Sequence, residues 1–200
     1  MKAVFIFSLF FSISAFAQTF QDEIKLYREK YKQEFLEDDH SPFKKKEDLE
    51  YIRFFNPTVK YKVKAGFVRT ENATPIDLAT MNGLTKQFIE FGILSFALNG
   101  KNLSLKIFQN TSLLDNPEYK DHLFLPFTDK TNGKETYDGG RYLDFKTSDI
   151  VAGLLIVDFN KAYNPYCAYS SGYSCPRPPE ENNIPFSIKA GEKKYGKGTH

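Results

Sequence analysis

Arg141 is the side chain best equipped for recognition in this sequence. It stands in Glu135-Thr-Tyr-Asp-Gly-Gly-Arg-Tyr-Leu143, behind the pair Gly139-Gly140 and between Tyr137 and Tyr142. A guanidinium is a permanently charged planar fork that matches a carboxylate or phosphate, and the glycines let the backbone turn sharply or come close to a ligand. If a strand starts at Gly140, alternation sends Arg141 and Leu143 to one face and Tyr142 and Asp144 to the other. A second polar concentration, Asp158-Phe-Asn-Lys-Ala-Tyr-Asn-Pro165, follows an apolar run. Loops at strand exits often carry binding residues, although Asp and Asn are also ordinary turn formers. Asp129, Tyr137, Arg141, Asp158, Asn160, Tyr163 and Asn164 form the candidate ligand-binding set. In that reading Arg141 holds the negative group of a small polar or anionic compound, the tyrosines stack and the amides orient it. The competing structural reading pairs Arg141 internally with Asp129, Glu135 or Asp158. In an enzymatic version, a hydrolase or lyase, one of those acids is the general base and Arg141 stabilises developing negative charge. In a third reading the polar cluster is an internal network of a structural or interaction module of the cell envelope.

Other chemistry finds less support. Asp129-Lys-Thr-Asn-Gly-Lys-Glu135 alternates oxygen donors around a glycine, but the glycine comes one position early for a calcium loop and the carboxylates expected third and last are missing. A hairpin loop turned at Asn132-Gly133 is the better reading. Two cysteines cannot complete a four-ligand zinc site, and His40, His122 and His200 have no ligand spacing. No metal and no cofactor is expected.

The N-terminus has the form of a secretory signal peptide. Lys2 precedes an apolar stretch from Ala3 to Ala15, and Ala15-Phe16-Ala17 supplies the small-x-small cleavage pattern, leaving Gln18 as the first mature residue. Gln18, Gln21, Asp22 and Glu23 cut the run short of a membrane span. The expectation is a periplasmic or secreted protein with no membrane anchor once residues 1–17 are removed. Removing them takes away only Lys2 from 27 basic side chains and leaves the 25 acidic ones, a near-neutral balance that gives no case for nucleic acid. For an exported chain the simple role of Cys167 and Cys175 is a disulfide; the alternative is a cysteine nucleophile with His122 as its base.

The elements that must position these residues show in the hydrophobic period. Ile24, Tyr27, Tyr31 and Phe35 mark one face of an amphipathic helix from Gln21. Leu49, Ile52 and Phe55 suggest a second, short helix from about Lys45, ending before Asn56-Pro57. From Val59 the period becomes two, with Tyr61, Val63, Ala65 and Phe67 alternating with lysines. Further strands are expected at Ile76–Leu78, Phe88–Leu98, Leu103–Ile107 behind an Asn99-Gly100 hairpin turn, Leu123–Phe127, Tyr142–Phe145, Ile150–Phe159 and Ile184–Ile188. Ile150–Phe159 is apolar enough to have both faces covered. Seven to eight strands without intervening helices predict a mainly β, α+β domain over residues 18–200, an antiparallel sandwich or barrel with two N-terminal helices packed on it and a loose tail after Glu192.

One resemblance covers much of the chain. The run Asn160, Tyr163, Asn164, Pro165, Cys167, Ala168, followed by Cys175, Pro176, Pro178, Pro179 and Asn182, resembles the signature of the bacterial family catalogued as domain of unknown function 1684, and the similarity extends at lower density back to about Tyr27. That resemblance implies membership and no activity.

Overall fold

The computed structural model describes the backbone of residues 8–197 and the side chains of residues 18–197. The first seven residues of the expected signal peptide therefore lie outside the described residues. The helix α1, Ser8–Glu37, continues through the expected cleavage point into the amphipathic stretch. Ile24 and Phe35 are buried as the period predicts, and Arg28 packs over the Phe54 ring at 4.5 Å. The second expected helix is a single 3₁₀ segment, Lys46–Tyr51. Its short apolar spacing is satisfied by burying Leu49, Ile52 and Phe55 without a full α-helical face.

Seven strands build one antiparallel sheet: β1 Lys62–Arg69, β2 Ile76–Ala79, β3 Thr85–Leu98, β4 Lys101–Asn110, β5 His122–Phe127, β6 Arg141–Lys146 and β7 Leu154–Asp158. The order is β6-β5-β4-β3-β1-β7, with β2 paired to β3. The expected choice of sandwich or barrel resolves into a single sheet curled into a half-barrel, with β6 and β7 at its two ends and Tyr163 paired to the β6 edge at Tyr142. A register shift in β3 between Glu90 and Gly92 adds a bulge, the device by which a strand bends and twists more strongly.

The inner face is packed by Ala65, Leu94, Leu105, Ile107, Leu123, Leu125, Phe127, Leu143, Leu155 and Val157. Ile184, Ile188 and Ala190 fill it from inside. Ile184–Ile188 is thus not an eighth strand: it is an irregular segment that plugs the half-barrel, tied to Thr128 through the Ile184 amide at 2.8 Å. The period-two pattern there records alternate burial without ladder pairing. Ile150–Phe159 also shortens to β7, because Ala152 and Gly153 take positive φ in a turn. Ile156 is exposed, as an edge strand with one wet face allows. The tail expected to be loose stays paired as far as Gly196: Lys193, Lys194 and Gly196 donate their amides to Arg53, Glu135 and Tyr51 carbonyls, and Tyr195 is buried.

Candidate functional site

The expected alternation along β6 holds: Leu143 is in the inner core, and Tyr142 joins the aromatic cluster of Leu78, Phe88, Phe108 and Phe124 on the other face. The two faces have different chemistry.

On the inner face Arg141 is fully buried. Its Nη2 donates to Asp129 Oδ2 at 2.7 Å and to the Ile188 carbonyl at 2.9 Å, while Nη1 donates to the carbonyls of Ala190 and of Glu192, the latter at 3.2 Å. Burial lowers the Arg141 pKa and Asp129 opposes that shift. Asp129 Oδ1 also accepts from the amides of Thr131 and Ile188. Gly140 makes this approach possible: its φ is +95°, and a Cβ there would lie 2.9 Å from the Phe127 carbonyl oxygen. The role given to Arg141 by sequence, capture of a ligand's negative group, is corrected here. No surface of the guanidinium reaches solvent, and its partners are a buried acid and the plug's own carbonyls, so it locks residues 188–192 into the half-barrel.

The other candidates divide in the same way. Asn160 is buried and clips the approach to β1, accepting from the Thr58 amide and donating to the Thr58 carbonyl, both at 2.9 Å. Asp158 Oδ1 accepts from the Asn160 amide and side chain. Asn164 donates to the Lys193 carbonyl at 2.8 Å. Asn182, from the family signature, accepts from Lys106 N and donates to the Lys106 and Pro126 carbonyls. Each amide side chain copies a backbone partner where no strand continues, so the signature is largely scaffold. Tyr137 is half-buried beside Gly139 and away from the cleft described next. Glu135 pairs with Lys189 at 3.0 Å. Among the acids named for catalysis, Asp129 and Asp158 are buried.

Across the sheet, on the Tyr142 face, lies a cleft of about 490 Å³. Phe88, Phe124 and Tyr142 form its floor, α1 supplies Tyr27, Tyr31, Glu34 and Phe35, and Tyr163, Tyr166 and Tyr173 close the sides. Only Tyr163 of the sequence-derived set lines it. The hydroxyl of every lining tyrosine is already engaged: Tyr27 with the Lys161 carbonyl, Tyr31 with Glu192, Tyr142 with the Pro176 carbonyl, Tyr163 with Asp144, Tyr166 with Asp38 and Tyr173 with the His40 carbonyl. The rings are therefore presented as apolar and π surface.

The cleft's polar pole is Asp144. Phe124 lies directly opposite it across β5 and β6, so His122, two residues before Phe124, reaches it diagonally on the same face. His122 Nε2 lies 3.1 Å from Asp144 Oδ1, and the Tyr163 hydroxyl donates to Oδ2 at 2.5 Å. Burial pulls the His122 pKa down, but the hydrogen bond and charge of Asp144, with Asp121 behind it, raise it above the ordinary value against Lys146. Sequence reasoning had His122 only as a base for a cysteine, and missed Asp144 as a site residue because the pair is separated by the whole β5–β6 connection. The cysteines are placed as a disulfide, their Cα atoms 6.3 Å apart. With no thiol free, the nucleophile alternative has nothing to act with.

Glu192 also escaped the sequence reading. It is fully buried behind the cleft and accepts from Tyr31 at 3.0 Å, Tyr169 at 2.6 Å and the Asn164 amide at 3.0 Å. Burial raises its pKa to about 7 against those hydrogen bonds. Gly191 before it has φ +73° and packs so closely that a Cβ would lie 2.5 Å from the Ala162 carbonyl oxygen. The hint in the sequence was this Gly-Glu pair at the border of the tail expected to be loose.

Among the described residues, no group of three or more His, Cys, Asp or Glu side chains could hold a metal, and no helix is long and apolar enough to cross a membrane. A second hollow of about 670 Å³ opens along the seam between the edges of β6 and β7, lined by Leu143, Phe145, Leu155 and Asp158 among others.

No curated protein matches the chain. Among solved structures it is similar to the solution NMR structure of the uncharacterized protein from gene locus rrnAC0354 of Haloarcula marismortui, with 32% identity, a TM-score of 0.68, and coverage of 88% of this chain and 95% of that one. The family model described as Protein of unknown function (DUF1684) matches residues 47–193, a span that holds the whole sheet, both cysteines and the His122–Asp144 pair. The chain belongs to that family.

Proposed function

We propose that this is an exported protein that binds a small organic compound in the aromatic cleft on the Tyr142 face. The observation that carries the reading is the cleft itself: about 490 Å³ walled by rings whose hydroxyls are already committed, with one polar pole at Asp144. Ligand sites are commonly about 300 to 1,000 Å³, mostly apolar, with a few placed polar groups. The rings come from α1, the sheet and the disulfide loop, so the walls are rigid parts of different elements. The hydrolase or lyase reading, with Asp129, Glu135 or Asp158 as the base and Arg141 as the stabiliser of negative charge, finds less support, because Arg141, Asp129 and Asp158 are buried and Glu135 is paired with Lys189. Export is supported by the apolar run ending at Ala15-Phe16-Ala17 and by the cysteine pair.

The test is ligand-observed NMR with a collection of small aromatic compounds, using wild type and Leu113→Trp, which fills the cleft from its rim. Compounds that bind wild type and lose binding in the variant support the reading. Binding unaffected by Leu113→Trp, or no binding at all, contradicts it.

A further inference from the structure

Resting on the cleft reading above, we propose that its ligand carries a positively charged nitrogen, a protonated amine or quaternary ammonium on an aromatic or alkyl body, with Asp144 as counter-charge and the tyrosine rings as walls. The charged side chains lining the cleft are Glu34, Lys86, His122 and Asp144. Glu34, on α1 and 58% exposed, adds negative charge at the rim, and Asp144 is the acid deeper within. Its side chain is 40% exposed although two donors hold it. Burial first, and then the negative charge of Asp144, keep the hydroxyls of Tyr27 and Tyr163 from ionising, with Glu34 adding to the effect at Tyr27. These rings come from α1 and from the segment after β7, so the carboxylate stands among them.

An anionic group would find little to hold it. No arginine lines the cleft. Arg141 is buried on the opposite face. His122 gives Nε2 to Asp144, and its Nδ1 is closed off. Only Lys86, exposed at the rim, remains as a free cation. A positive nitrogen instead meets a carboxylate and the negative faces of several rings, an attraction that strengthens where water is excluded. Because the tyrosine hydroxyls are used elsewhere, they do not compete as hydrogen-bond donors to the ligand. A cation is held by charge and ring contact, an arrangement that suits an ammonium group better than a neutral polar group needing directed hydrogen bonds.

His122 gives this proposal a sign. The charged groups around it are Asp144 and Lys146 on β6 and Asp121 just before β5, and Tyr163 shares its acid. When His122 is protonated it neutralises Asp144 and weakens the site for a cation. A cation therefore binds better as pH rises through the His122 titration, and an anion worse.

The experiment is calorimetric titration of the intact protein with benzyltrimethylammonium, benzyl alcohol and benzoate at about pH 8 and about pH 6, on either side of the histidine range. We expect the ammonium compound to bind at least about tenfold more tightly than benzyl alcohol, as one added cation–π and charge contact allows, and benzoate to bind least. Asp144→Asn abolishes the preference for the cation while benzyl alcohol still binds. The affinity falls at the lower pH, and that fall is smaller in His122→Gln, the remainder coming from Glu192, which titrates at about 7 behind Tyr31. Should Asp144→Asn not fold, Lys86→Glu at the exposed rim provides the second check, since it should tighten the ammonium compound and weaken benzoate. Benzoate binding best, or three equal affinities, overturns the ligand class and leaves the cleft reading standing. Failure of all three compounds to bind overturns both.

Discussion

Arg141 and Glu192 show how one side chain's surroundings decide its role. Arg141 has the chemistry of a ligand anchor, but its Nη atoms meet Asp129 and the carbonyls of residues 188, 190 and 192 with no surface exposed. Removing one member of such a buried pair strands the other. Arg141→Met is therefore expected to cost about 3 to 5 kcal/mol, read as a large fall in melting temperature; a variant as stable as wild type would contradict the assignment. The pKa of Glu192 is shifted upward, the opposite of a carboxylate stabilised by an ion pair. Its folded pKa is raised from 4.5 to about 7, so the stability due to its protonated form is fully present below 4.5 and is lost as pH rises through about 7. His122, raised as well, acts in the same direction. Comparison with Glu192→Gln isolates the acid: wild type should lose melting temperature between about pH 5 and about pH 8, and the variant should lose less. Parallel curves would remove Glu192 as the titrating group.

At the scale of elements, the sequence was most readable where a period is long and regular. The buried face of α1 and the alternation from Tyr61 to Phe67 needed nothing beyond the spacing of apolar residues. Alternation on β6 was also right, yet it says only that Arg141 and Tyr142 diverge, and the chemistry of Arg141 drew attention to the face that is sealed. The face that forms the cleft is set by which elements cover the sheet, and no local pattern in β5 or β6 encodes that α1 lies there. Ile184–Ile188 misled for a related reason: alternate burial also arises when an irregular segment threads a half-barrel. The segment from Tyr166 to Pro176, closed by Cys167 and Cys175, forms one wall of the cleft and is stiffened by Tyr166 and Tyr173 ring contact at 5.2 Å. Closing a loop of this length contributes about 2.6 kcal/mol by constraining the unfolded chain. Replacement of both cysteines by serine should lower the melting temperature and weaken any compound bound in the cleft, while the circular dichroism of the sheet is kept. Unchanged stability would show that the bridge contributes nothing to the fold.

For the whole molecule, the picture is a half-barrel whose inside is sealed by an ionic lock and a plug, with the aromatic cleft turned outward under α1. The family signature belongs mostly to the sealing. Asn160, Asn164 and Asn182 hold backbone, while Tyr163, Pro165, Cys175 and Pro176 reach the cleft. That explains why a strong sequence match carried so little about function: the residues that recur as a motif hold the scaffold, whereas His122, Phe124 and Asp144 are scattered over two strands. Export is expected to remove residues 1–17, leaving α1 to begin at Gln18, and intact mass of protein recovered from the host's envelope or medium checks it. A mature chain that still starts at Met1 would contradict that expectation. The claim that matters most is that the Tyr142 face, not the Arg141 face, receives a ligand. It is tested most directly by a crystal structure of the protein purified from its own host and soaked with compounds found by NMR. The expected result is a bound compound seated between Tyr31, Phe124 and Tyr163 within reach of Asp144. A compound lodged in the seam between β6 and β7, with only solvent in the cleft, would contradict it.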